Sequence, residues 1–191
     1  MAIDATVLDA GSGALERLRA MLREEGGLIA SLLDDAAPAV GASVAAAPGA
    51  PAQLAASGPR TQSRRDEYEL LVEAIYEGYL LHYGPPRVVR APDADLRVLA
   101  GDRLYAIGLA RLVELGDTTA VAELADTITL SALAQGSGNA PLAEAVWAAG
   151  ARAVGWGSSE QHQRAKRLVA SGAREAIEAM RTSAAGVSGA P

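Results

Sequence analysis

The sequence predicts an all-α protein: a bundle of five or six helices, preceded by an N-terminal helical arm on an Ala/Pro-rich tether. Three observations carry this reading. Half of the 191 residues are apolar, yet aromatics make up only 4% and Phe is missing. The apolar content is therefore Ala, Leu and Val, and Ala and Leu head the helix-propensity scale. Apolar residues also recur at i, i+3, i+4 and i+7, the spacing that gathers them on one helix face. Finally, these stretches end at Gly26-Gly27, Gly84-Pro85-Pro86, Gly116 and Gly136-Ser137-Gly138-Asn139, combinations that stop one helix and open the next.

The first helix is expected over about Gly13–Glu25, with Leu15, Leu18 and Leu22 on one face, followed by a short amphipathic turn over Leu28–Asp35. Residues 1–35 are thus the arm. No charged residue occurs from Ala36 to Pro59. Such a segment has too little large apolar surface to offset its ordering entropy, so residues 36–62 are expected to be linker. The bundle then spans 63–183. Its first helix runs from Ser63 to Tyr83, and an extended connector over Arg87–Pro92 leads to Asp93, a good N-cap for the next helix. Gly116 ends that helix and Asp117 caps another. Pro141 suits the opening turn of a helix over 140–154. A last helix is expected over Ser159–Ser183, its seam made of Ala165, Leu168, Val169, Gly172, Ala173, Ala176, Ile177 and Met180. Residues 184–191 are a fraying tail.

Composition narrows the function. A net charge of −6 argues against nucleic acid as a partner, because that recognition needs clustered positive charge. There is no Cys, which removes disulfides, thiolate metal sites and a cysteine nucleophile. The acidic N-terminus has no signal-peptide pattern, and no apolar run of about 18 residues could span a membrane. A soluble, cytoplasmic protein without a cofactor is expected.

Asp102 is the most unusual residue. On a helical projection of Leu96–Asp117 it lies inside the arc of Val98, Leu99, Ala106, Leu109 and Val113. A carboxylate on a covered apolar face must be paired, hydrogen-bonded or in use. It can be read as a ligand-binding acid in a cavity, as a structural carboxylate, or as the cap of a new helix after Gly101. The structural readings are preferred, with Gly101 and Asp102 as a structural or pocket pair. Glu69, Glu73 and Glu77 repeat at i, i+4 and align on one face; they are expected to be solvated or to meet a basic partner. Tyr76, Tyr79 and Tyr105 are candidates to line a groove. His82 and His162 belong to no metal or triad spacing, and neither a catalytic constellation nor a metal site is identified.

Leu99-Ala100-Gly101-Asp102, followed by Tyr105-Ala106 and Leu109-Ala110, resembles a segment of the trans-polyprenyl diphosphate synthases. The likeness covers about Glu67–Leu133 and is greatest to the small, non-catalytic component of heptaprenyl diphosphate synthase. Catalytic members of that family hold Mg²⁺ with two D-D-x-x-D motifs. This chain has neither: Asp34-Asp35 runs into Ala36-Ala37-Pro38, and Asp93-Ala94-Asp95 has no third acid in register. The resemblance therefore implies an accessory or chain-length-setting subunit, bound to a catalytic synthase or to a second copy of itself.

Overall fold

A computed structural model describes the backbone of residues 5–33 and 50–186, with side chains from residue 13 onward. The fold is all-α. In chain order the helices are α1 (Ala5–Glu25), α2 (Gly27–Ser31), α3 (Pro51–Ala56), α4 (Arg65–Tyr83), α5 (Ala94–Glu114), α6 (Thr118–Gly136), α7 (Ala140–Trp156), α8 (Glu160–Ala170) and α9 (Ala176–Ala185). A 3-10 turn over Gln62–Arg64 precedes α4. Among the described residues, extended pairing is limited to an isolated antiparallel bridge between Leu33 and Val89. No described helix is long and apolar enough to cross a membrane.

The two caps read from the sequence, Asp93 and Asp117, are in place, and the structure adds a third at Asn139. Asp93 accepts from the Leu96 amide at 2.8 Å, Asp117 from Ala120 at 3.0 Å and Asn139 from Leu142 at 3.1 Å. Each satisfies an amide that a helix start leaves unpaired.

The single bundle expected over 63–183 is instead divided. One compact unit comprises Met1–Gln53 and Asp66–Arg111; the other comprises Leu54–Arg65 and Leu112–Pro191.

In the first unit the expected arm is part of the core. Leu18 and Leu22 of α1 are buried with Leu71, Val72 and Ile75 of α4 and with Leu104 and Ile107 of α5. Arg17 pairs with Glu69 at 2.6 Å, and Glu25 takes Arg103 at 3.2 Å and Arg111 at 2.8 Å. Helices α4 and α5 meet through glycine. A Cβ on Gly78 would lie 2.9 Å from the Gly101 carbonyl oxygen, and one on Gly108 would collide with Ile75.

The second unit holds α6 to α9 and corrects two expectations. Within the segment expected to be linker, α3 forms over residues 51–56, and its unit-two residues Ala55 and Ala56 are buried, as is Thr61. The Thr61 hydroxyl donates to the Ala55 carbonyl at 2.7 Å, and the Arg60 amide donates to the Gly155 carbonyl at 3.0 Å. Residues 36–49 of the linker, and Asp34 and Asp35 before it, lie outside the described residues. The long last helix is broken into α8 and α9. Gly172 takes φ +66°, and its amide donates to Val169 while that of Ala173 donates to Leu168, both at 3.0 Å. That pair of bonds is a Schellman ending. Ala165, Val169, Ala176 and Met180 of the expected seam are buried within the unit on either side of the break.

Candidate functional site

Helix α5 turns the opposite face inward from the one the apolar arc suggested. Val98, Leu99 and Val113 are 48%, 57% and 55% exposed, and the Asp102 side chain is 65% exposed. The covered face is Ala100, Gly101, Leu104, Ile107, Gly108 and Leu112. Asp102 is therefore a surface carboxylate and not an internal or pocket acid. Its Oδ1 lies 3.3 Å from His82 Nε2. Gly101 has a separate role: a side chain there would strike the His82 ring.

The acidic ladder is also inverted. Glu69, Glu73 and Glu77 are 7%, 4% and 0% exposed, so they do not face a partner or solvent. Their cations come from this chain. Glu77 Oε1 accepts from the amides of Arg87 at 2.6 Å, Val88 at 2.7 Å and Val89 at 3.3 Å. Its other oxygen accepts from Arg87 Nε at 3.2 Å, and Arg87 Nη2 bridges to Glu73. The chain leaving α4 is thereby folded back onto the helix. Burial pushes the Glu73 carboxyl up; Arg87 pulls it back, but the charges of Glu77 and Glu69 help to keep it raised. Burial tends to lower the Arg87 value, and the charges of Glu73 and Glu77 reverse this and raise it.

The tyrosines form a ring stack. Tyr76 and Tyr79 lie 5.7 Å apart at 17°, Tyr79 and Tyr83 lie 5.3 Å apart, and Arg87 sits 5.3 Å from the Tyr76 ring centre. Tyr105 stacks on His82 at 5.4 Å and 8°. Burial, then the neighbouring Tyr83, Tyr79 and Asp102, push its hydroxyl upward. Tyr76, Tyr79 and Tyr105 thus pack on rings and a cation, and none of them lines the cavity beside Arg152 or the one beside Arg90 and Arg97.

The second unit contains a polar assembly that the sequence reading missed. His162 is buried between two helices: Nε2 lies 2.6 Å from Glu123 of α6, and Nδ1 lies 2.8 Å from the Ser183 hydroxyl of α9. Lys166 donates to the second Glu123 oxygen at 3.0 Å and to Asp126 at 2.7 Å. The signal was available, because Glu123 falls within the covered stripe of α6 beside Ala120, Leu124 and Thr127. Its i, i+3 pairing with Asp126 also matches the i, i+4 pair His162 and Lys166 across the helices. His162 and Ser183 border a cavity of about 390 Å³ whose lining includes Arg152, Trp156, Gly157 and Ser159.

Burial pushes the Glu123 carboxyl up, but the hydrogen bond and charge of His162, then those of Lys166, more than reverse it. It ends below its ordinary 4.5. A carboxyl lowered in the folded state contributes stability that is present above the unfolded value and lost as pH falls through the folded one. Glu123→Gln should cost about 3 kcal/mol at neutral pH, the scale for breaking a buried ion pair. Urea unfolding followed by circular dichroism should show the gap to wild type closing as pH drops below about 4.5. A gap that stayed constant through that range would contradict the assignment.

Among the described residues no group of three or more His, Asp or Glu side chains is arranged to hold a metal ion. Comparison with protein-family models, with curated proteins and with solved structures finds no match to this chain.

Proposed function

We propose that this chain is a non-catalytic accessory subunit of a polyprenyl diphosphate synthase, acting through helix–helix contact. The observation that carries the reading is the exposed face of α5. Val98, Leu99 and Ala106 surround Asp102 there, inside the segment that resembles the synthase family. Covering the remaining exposed area of Val98 and Leu99 would stabilise a complex by roughly 1 kcal/mol each. Asp102 adds a charge that selects for a cationic residue opposite, which contributes more to choosing the partner than to affinity.

The chemistry of the acids supports an accessory role. Catalysis in this family requires carboxylates free to hold Mg²⁺ against a diphosphate. The aspartate motifs are missing from the sequence, and the carboxylates of Glu73 and Glu77 are already engaged by Arg87 and backbone amides.

Mixing the purified chain with a D-D-x-x-D-bearing synthase from the same genome tests this. We expect co-elution on size exclusion and a change in turnover or product chain length. Val98→Glu with Leu99→Glu should weaken the complex by at least about tenfold, or 1.4 kcal/mol, while leaving the helical circular dichroism intact. A chain that neither co-elutes with the synthase nor alters its products overturns the reading.

A further inference from the structure

We propose that the cavity of the second unit binds a small carboxylate that also carries a hydrogen-bond donor, a hydroxy or amino acid. Arg152 would hold the carboxylate and Ser183 would accept from the donor. The cavity is formed by the end of α7, the start of α8 and the end of α9, and its volume of about 390 Å³ is toward the small end of ligand pockets, which run to roughly 1,000 Å³. This inference is independent of the synthase partner.

Arg152 supplies the charge. Its guanidinium lies 4.6 Å from the Trp156 ring centre, which holds it in the lining. Gly186 makes room for it, since a Cβ there would fall on the guanidinium. Arg152 has no ion pair or hydrogen bond among the described residues, in contrast to Lys166, Arg60 and Arg87. Nor does it serve as the cap of α7: Arg60 takes the Val154 carbonyl with its side chain at 2.7 Å and the Gly155 carbonyl with its amide at 3.0 Å. A recessed guanidinium keeps a fork of donors whose geometry matches a carboxylate. Helix α8 begins in the same lining at Ser159, so the positive end of its dipole adds to that field.

Ser183 supplies the selectivity. Glu123 is ionised and can only accept, so His162 Nε2 carries the proton on that side. When the ring is neutral, Nδ1 accepts a hydrogen bond from the Ser183 hydroxyl. The Ser183 oxygen is left with lone pairs for a ligand. A hydroxyl or ammonium beside the carboxylate can donate to them, whereas a fully deprotonated oxyanion would meet repulsion. Glu123, the carboxylate bonded to His162, is joined to Asp126 through Lys166; neither is in the cavity lining.

The test titrates the full chain with L-lactate, glycine, acetate and inorganic phosphate, following Trp fluorescence and melting temperature. It is run at about pH 8.5, above the ordinary imidazole range, so that the neutral ring is the form tested. We expect L-lactate or glycine to bind at least about tenfold more tightly than acetate or phosphate, a difference of about 1.4 kcal/mol. Arg152→Met, which keeps the stem over Trp156, should abolish binding. Ser183→Ala should erase the preference over acetate. Failure of both L-lactate and glycine to perturb the wild-type chain at millimolar concentration overturns the proposal. So does Arg152→Met binding them like wild type, or phosphate binding best.

Discussion

Glu77→Ala should destabilise the first unit by about 4 kcal/mol, within the range for stripping one partner from a buried ion pair. The loss has two parts. Three amides, those of Arg87, Val88 and Val89, share one Glu77 oxygen, and Val88 and Val89 are buried, so no water can replace it. Each buried donor left unsatisfied costs about 1–3 kcal/mol. Arg87 in turn would keep Glu73 and the Tyr76 ring as side-chain partners, and the turn after α4 would lose the carboxylate that holds its three amides. Thermal and urea unfolding by circular dichroism should show the drop, and Glu77→Gln, which retains an acceptor oxygen, should recover part of it. An Ala variant as stable as wild type would mean that the turn is held by something else. Glu73 contributes with the opposite sign from Glu123. Its raised value favours the folded state below about 4.5, and that contribution is lost as pH rises through the raised value.

Gly58→Ala should destabilise the second unit by about 3 kcal/mol or more, at or beyond the usual cost of overpacking. A Cβ at Gly58 would land within the Gly155 carbonyl group, and one at Gly155 would lie 2.7 Å from the Ala55 carbonyl oxygen. Both obstacles are backbone, which cannot step aside as a side-chain tip can. Relieving the clash would lift the 54–65 segment from the end of α7 and strain the bond from Arg60 to Gly155. The control is Gly136→Ala on α6, where a Cβ meets nothing within 4 Å; it should be neutral or slightly stabilising. Equal melting temperatures for Gly58→Ala and wild type would refute the prediction.

These two sites show where the sequence was legible. Two helix starts were readable because a cap is local chemistry: Asp93 and Asp117 each bond an amide three residues on. The orientation of α5 was not. Periodicity says which residues share a face, and α5 has two apolar faces, Ala100-Leu104-Ile107 and Val98-Leu99-Ala106. Gly101 and Gly108 decided between them by admitting α4, yet glycines contribute nothing to an apolar stripe. The carboxylate ladder was misread because its cations lie far off in sequence, Arg87 beyond a Pro-Pro turn and Arg17 52 residues upstream of Glu69. The ordered part of the expected linker was missed for a related reason. Ala52, Ala55 and Ala56 are fully buried or nearly so, and small side chains suit close backbone approach without leaving a large-residue signature.

The rings are sorted between the two units. All five tyrosines, Tyr68, Tyr76, Tyr79, Tyr83 and Tyr105, lie in the first, and both tryptophans, Trp147 and Trp156, lie in the second. The molecule therefore carries a separate spectroscopic reporter for each half. Red-edge excitation reads indole alone and so follows the second unit, while the tyrosine band of the near-ultraviolet dichroism follows the first. In Glu77→Ala the two signals would separate if the halves melt independently, and would shift together if one holds up the other. The native residues are enough to measure the free energy of coupling between the halves, with no label added.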